Sequence, residues 1–193
     1  MQMPPTDSID GLPFPAIADA ALSAKPSAIE RDVMELFEQL RNPLLRYAYS
    51  FGIPMHDAEE IVQETFLSLF RHLQLGRSRE NLRGWIFRVA HNLALKQRLA
   101  HQRLSERTVS DGAMAERQFD HAPNPEQQLS FAQRQSRLLA VVASLPEADR
   151  NCLSLRAEGL RYREIAAVLG ISLGSVSISL KRSLARLMRA EGR

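Results

Sequence analysis

Three groups of side chains have types and spacings suited to chemistry with a charged partner. Asp57, Glu59, Glu60 and Glu64 place four acids within eight residues, with no basic residue among them. Between Arg71 and Arg103 the balance reverses, to eight Arg or Lys against one acid, Glu80. From Arg156 onward there are eight basic residues against three acidic ones. One acidic stretch and two separate basic ones offer a surface for a cationic partner and two for polyanions. The plain alternative is charge that merely solvates helix faces. No catalytic constellation competes: there is no Gly-rich phosphate loop, no nucleophile elbow and no grouping of metal-ligand spacings. The five histidines, His56, His72, His91, His101 and His121, are scattered along the chain. The expectation is a binding protein, not an enzyme, with no cofactor and no metal.

Composition narrows the class. The 193 residues are 45% apolar and 24% charged, ordinary values for a globular protein, and the net charge is +3. Cys152 is the only cysteine, which excludes an intrachain disulfide and a cysteine-based zinc cage. It sits among Leu153 and Leu155, as a core thiol would. No apolar run approaches the roughly 20 residues of a membrane-spanning helix. The N-terminus lacks the basic start and apolar stretch of a secretory signal. A cytoplasmic protein without membrane insertion is expected.

The elements that must position these groups read as helices throughout. Residues 1–27 hold five of the ten prolines and no sustained period, and are expected to form a flexible leader. Val33, Leu36, Phe37 and Leu40 then mark one buried helix face. Asn42-Pro43 predicts a restart, with Asn42 as N-cap and Pro43 in the first turn, and Gly52 with Pro54 predicts the stop. Asp57 to Glu60 has the spacing of a capping box opening a third helix. There Ile61, Thr65, Leu69, Leu73 and Val62, Phe66, Phe70 form one apolar stripe, leaving Asp57, Glu60 and Glu64 outward. A polar loop, Gln74 to Asn81, leads to a fourth helix with Leu82, Trp85, Ile86, Val89, Ala90 and Leu93 inside. Periodicity fades from Ser105 to Asn124, with Asp111-Gly112 and Pro123-Asn124-Pro125 as punctuation. The expected fold is all-α: two small helical domains, residues 28–104 and 126–193, joined by a flexible linker over 105–125.

The most specific local pattern lies in the second domain. Tyr162 to Leu169 reads as a short helix with Ile165, Ala166 and Leu169 buried. Gly170 suits a left-handed helix end, Ile171 plugs the turn, and Ser172 can cap the helix that follows. That is a helix-turn-helix, whose second helix enters the major groove of DNA. A helical hairpin that touches no DNA has the same pattern, but Lys181, Arg182, Arg186 and Arg189 extend from the second helix, where phosphates would lie.

Taken together, these segments resemble a known family. Asp57-Ala58-Glu59-Glu60-Ile61-Val62-Gln63-Glu64-Thr65-Phe66 resembles the core-binding helix of bacterial sigma factors. Gly84-Trp85-Ile86-Phe87-Arg88-Val89-Ala90-His91-Asn92-Leu93-Ala94 is similar to their promoter-melting helix. The helix-turn-helix resembles their fourth conserved region. Order, spacing and length match the extracytoplasmic-function (ECF) subfamily of the sigma-70 family, over about residues 30–104 and 126–190.

The resemblance implies a factor that binds core RNA polymerase, directs it to promoter DNA and helps melt the minus-ten element. It implies that Asp57, Glu60, Gln63 and Glu64 dock on the polymerase. It assigns Arg77, Arg79, Asn81, Arg83, Arg88, Asn92, Lys96 and Arg98 to the minus-ten DNA, with Trp85 as either a stacking platform or core. It assigns Ser172, Gly174, Ser175, Ser177, Ser179, Lys181, Arg182 and Arg186 to the minus-thirty-five element. Where the family carries cations near the start of that last helix, this chain has Ser177 and Ser179, which implies an altered minus-thirty-five preference and weaker phosphate anchoring. The subfamily also implies an anti-sigma factor as a candidate partner. A stand-alone DNA-binding regulator is the competing reading, and it leaves the acidic helix and the Trp-containing basic helix without a use.

Overall fold

A computed structural model describes residues 27–107 and 125–191, with side chains described for 27–103 and 134–191. Residues 1–26 of the expected leader and residues 108–124 of the expected linker lie outside these. Among the described residues there are seven helices and no strand.

The first bundle has three helices. In α1, Ala28–Tyr49, Ser27 and Glu30 form a reciprocal capping box: the Ser27 hydroxyl accepts from the Glu30 amide at 3.2 Å, and the Glu30 carboxylate accepts from the Ser27 amide at 2.6 Å. The expected restart at Asn42 does not occur, and α1 runs on through Pro43. Proline removes one backbone hydrogen bond and crowds the preceding turn. Packing overrides it here, because Leu40, Leu44, Leu45, Tyr47 and Ala48 continue one buried face on both sides of the proline. Pro43→Ala is expected to raise the stability of the chain by about 1–3 kcal/mol. Urea unfolding measures this, and an unchanged midpoint would show that the helix has already relieved the clash.

Helix α2, Met55–Gln74, begins two residues before Asp57, with Pro54 as the N-cap. Asp57 is therefore not the expected cap, but an acid of the first turn, where the helix dipole favours it. The two expected apolar rows do face inward: Ile61, Val62, Thr65, Phe66, Leu69 and Leu73 are buried. Helix α3, Leu82–Arg107, lays Ile86, Phe87, Ala90 and Ala94 against them. Phe37 meets Phe66 edge-on with centroids 5.0 Å apart, and Tyr47 meets Phe87 at 5.8 Å, which ties α1 to both neighbours.

The second bundle comprises α4, Pro125–Ala143; α5, Glu147–Ala157; α6, Tyr162–Leu169; and α7, Leu173–Glu191. Cys152, Leu155, Leu160, Ile165, Val168, Val176 and Leu180 form its core, each no more than 4% exposed. Burial pushes the Cys152 thiol up, as fits an inert core position. Gly170 ends α6 in the left-handed conformation (φ 66°), and the chain turns by 106° into α7. No single helix among the described residues is long and apolar enough to cross a membrane.

Candidate nucleic-acid interfaces

The acids on α2 divide into two sets. Glu60, Gln63 and Glu64 are exposed and recur at three- and four-residue spacing, so they share one outer face. Leu67, half exposed, sits on the same face one turn further on. The sequence reading passed over it, although it falls outside both buried rows and so had to point outward. Asp57 turns the other way. Its carboxylate meets His101 Nε2 at 2.6 Å, reaching across to α3, and His56 Nδ1 at 3.4 Å. Its partial burial would raise its pKa, but hydrogen bonds from Gln97, His56 and His101 outweigh that and hold the carboxyl below its usual range. Two of the histidines scattered in sequence thus meet in space, and ligand atoms of His56, Asp57 and Glu60 lie within 4.8 Å of one another.

The basic residues of the next segment also divide, according to the face of α3 they occupy. Arg88, Asn92 and Lys96 are exposed, recur every four residues and form a single row along the helix. Arg88 and Lys96 have no ion-pair partner among the described residues, and neither does exposed Arg77 on the preceding loop. That loop is pinned at several points. The His72 ring donates through Nε2 to the Ser78 carbonyl at 2.9 Å, the Glu80 amide donates to the Ser78 hydroxyl at 3.1 Å, and Arg79 pairs with Asp32 of α1. Asn81 closes the loop by accepting the Gly84 amide on its side-chain oxygen at 3.1 Å, which caps α3. A Cβ on Gly84 would lie 2.5 Å from the Asn81 side chain, so the cap needs glycine there. Asn81 therefore has its oxygen committed, and only its amide NH2 remains for a base. Trp85 is half-buried against the core and meets the His72 ring at a tilt of 42° with centroids 4.5 Å apart, which matches the core reading of that residue.

Arg83 and Arg98 lie on the flank of α3 that faces the second bundle. Arg83 donates to the Glu158 carbonyl, and Arg46 of α1 grips the Glu158 carboxylate with two hydrogen bonds of 2.9 and 2.6 Å. Arg98 pairs with Glu147 at 2.6 Å. Between these pairs a cavity of about 350 Å³ is lined by His91, Leu95, Glu147, Asn151, Leu169 and Ile171. His91 Nδ1 lies 2.8 Å from the Tyr47 hydroxyl in a hydrogen bond, and burial pushes its pKa down, which favours the neutral ring. The contact between the bundles thus combines these charge pairs with apolar packing, since the buried residues of the two bundles form one cluster against which Leu95, Leu169 and Ile171 pack.

On α7 the set expected to face DNA is split again. Ser172 caps the helix, accepting the Ser175 amide at 3.1 Å and lying 2.9 Å from the Ser175 hydroxyl. Gly174, Ser175 and Lys181 are exposed and Ser177 is half-buried. Ser179 is 6% exposed and faces inward, toward Asp149 and Cys152. Arg182 is half exposed but holds buried Asp149 by two hydrogen bonds of 2.6 and 2.5 Å. Those bonds keep the Asp149 carboxyl below its usual range, against the opposing effect of its burial. Arg186 is half-buried. The exposed arc of the helix includes a residue absent from the sequence-based set, Ile178, which is 62% exposed.

An all-helical pair of bundles, one carrying basic rows and the other a helix-turn-helix, defines a two-domain DNA-binding protein. Comparison with known proteins narrows this. Residues 36–104 match the Sigma-70 region 2 family model and residues 135–187 match Sigma-70, region 4. The chain belongs to the sigma-70 family and is an RNA polymerase sigma factor of the ECF type. It is 33% identical over 154 residues to the ECF RNA polymerase sigma factor SigE of Mycolicibacterium smegmatis, a match covering 79% of this chain and 59% of that protein. It is 29% identical over 179 residues to the RNA polymerase sigma factor CnrH of Cupriavidus metallidurans, covering 90% of this chain and 94% of CnrH. The solved structure of CnrH in complex with the cytosolic domain of CnrY superposes with a TM-score of 0.56 at 25% identity, over 89% of this chain and 92% of that one. The sigma factor RpoE of Bartonella quintana, solved with the anti-sigma factor NepR, shares the fold with a TM-score of 0.61 at 22% identity, over 83% and 96% of the two chains.

Proposed function

We propose that this sigma factor uses three separate surfaces to initiate transcription. The exposed α2 face of Glu60, Gln63 and Glu64, with Leu67, docks on a basic surface of core RNA polymerase. Charge complementarity there speeds encounter and sets register, while Leu67 contributes apolar contact. The α3 row of Arg88, Asn92 and Lys96, with Arg77 on the loop before it, follows the unwound minus-ten strand, where a basic track and hydrogen-bonding side chains suit exposed bases and phosphates. The outer arc of α7 enters the major groove of the minus-thirty-five element. The single observation that carries this reading is the sorting of charge by face. The acidic face of α2 covers about one helical turn and the free basic row of α3 about two, and both turn away from the bundle core.

The contact between the bundles adds a condition. Arg83 and Arg98, both expected on DNA, are held by the second bundle, so promoter binding requires the two domains to separate. An anti-sigma factor is a candidate partner that would act on this same equilibrium, and a cytoplasmic location follows from the DNA template. RNA synthesis itself belongs to the polymerase, and this chain contributes recognition only.

The test is promoter-independent. The purified chain is expected to co-elute with bacterial core RNA polymerase, and a Glu60→Lys, Glu64→Lys variant is expected to lose most of that association while remaining folded by circular dichroism. Failure of the folded wild-type chain to bind core polymerase would favour a stand-alone regulator.

A further inference from the structure

We propose that Ile178 reads the 5-methyl group of a thymine in the minus-thirty-five element, and so sets the base preference of this sigma factor. The inference rests on the assignment of α7 as the helix that enters the major groove.

Helical geometry, at about 100° per residue, puts Ile178 at the centre of the solvent-facing arc of α7. Ser175 and Arg182 lie on one side of it, and Gly174, Lys181 and Ala185 on the other. All of these except Arg182, which is tied to Asp149, are exposed and small or without a charged partner among the described residues. The opposite side of the helix is buried through Val176 and Leu180, each no more than 1% exposed, with Ser179 and Ser183 beside them. The buried side fixes the rotation of the helix, so Ile178 has no route to the core. It is a large apolar side chain, 62% exposed, in the middle of an otherwise polar or small surface.

Two simpler explanations are weaker. Ile178 is not the edge of a larger apolar patch on α7: Leu184 and Met188, the exposed apolar residues further along, lie about 120° and 80° away around the helix. Nor does it pack on another element among the described residues, as its exposure shows. Its neighbours indicate the partner instead. Lys181 is exposed with no ion pair among the described residues, and Ser175 presents a hydroxyl one turn earlier. A cation and a hydroxyl flanking a hydrocarbon suit a surface with phosphates at its margins and base edges between them.

In the major groove the hydrogen-bonding features of all four base pairs are matched by polar side chains. Thymine alone among the bases adds a methyl group, and apolar side chains recognise it by contact. A β-branched side chain is held to few rotamers on a helix, so Ile178 offers its methyl groups with little entropy to lose. Along this helix the chain presents Ser177 at the shoulder, Ile178 at the centre and Ser179 inside. Reading by shape and methyl contact replaces reading by charge.

The experiment begins with holoenzyme, made from core polymerase and the full chain, selecting duplexes from a library randomised upstream of the start site. The selected element is expected to contain at least one invariant thymine. Each such thymine is then replaced by deoxyuridine, which removes only the methyl group. Wild-type holoenzyme is expected to bind about fourfold more weakly at the position Ile178 reads, the size of one buried methyl contact. Holoenzyme with Ile178→Ala is expected to bind thymine and deoxyuridine equally well there, while Ile178→Val retains discrimination. An upstream element without thymine dependence, or Ile178→Ala holoenzyme that still distinguishes thymine from deoxyuridine, overturns the assignment of Ile178. A library that yields no upstream element, from holoenzyme that forms, overturns the placement of α7 in the groove and this inference with it. Loss of holoenzyme itself points to the core-docking reading instead.

Discussion

Reversing two charges on the outer row of α3, Arg88→Glu with Lys96→Glu, is expected to lower holoenzyme affinity for a minus-ten single strand by a few hundredfold at 0.1 M salt. The size follows from counterion release. Each phosphate contact on single-stranded DNA contributes about 0.7 to the slope of log affinity against log salt, which at 0.1 M is about fivefold in affinity. Removing two contacts therefore costs about 25-fold, and replacing them by repulsion roughly squares that loss. Both residues are exposed and lie on the helix face away from Ile86, Phe87 and Ala90, so neither supports the core. The neutral pair Arg88→Ala with Lys96→Ala gives a sharper readout. Its salt slope is expected to fall by about 1.4, with stability and core-polymerase binding unchanged. Affinity measured from 0.05 to 0.3 M salt checks this. A slope equal to wild type would mean that these two cations do not meet phosphates.

What was legible in the chain, and what was not, follows from the range over which each interaction acts. The buried stripes of α2 and α3, the turn at Gly170 and the capping role of Ser172 depend on residues three or four apart, so local spacing revealed them. Pro43 misled because its intrinsic preference to break a helix is local, whereas the burial of Leu40, Leu44 and Tyr47 that overrides it comes from α2 and α3. The same limit applied to the site. Arg77, Arg83, Arg88 and Arg98 look alike in sequence, but Glu147 and Glu158, 49 and 75 residues further along from their partners Arg98 and Arg83, divide them into held and free. Asp57 and His101, or Asp149 and Arg182, are likewise pairs that only the fold joins. Ile178 and Leu67 could have been found from the sequence, since each is an apolar residue out of phase with the buried stripe of its own helix. A search for candidate ligands that leaves out aliphatic residues passes over such positions.

Loosening the contact between the two bundles is the second large effect expected. A Glu147→Gln, Glu158→Gln variant keeps the shape of both side chains and removes the charges that hold Arg98 and Arg46. Arg46 is mostly exposed, so its pair with Glu158 is screened, and each of the two pairs is worth about 1 kcal/mol. Together they shift the equilibrium between joined and separated domains by about 2 kcal/mol, or roughly thirtyfold. Apolar packing also opposes separation, because one buried cluster runs from Tyr47, Phe51 and Ile86 of the first bundle to Cys152, Leu155 and Ile165 of the second, so the charge pairs set only part of the equilibrium. Raising ionic strength should act on the wild-type chain in the same direction, since screening weakens exposed pairs first. Two fluorophores, one on each bundle, are expected to report a longer mean separation in the variant at low salt and convergence with wild type at high salt. The isolated variant should also bind promoter DNA more tightly than wild type, because Arg98 no longer has to leave a carboxylate before it meets a phosphate. Equal separations at low salt would show that the backbone contact of Arg83 to Glu158 and the apolar lining of the cavity hold the domains without these charges. The arginines of region 2 would then be released by polymerase binding, which separates α3 from the second bundle, and not by a weak pre-existing opening.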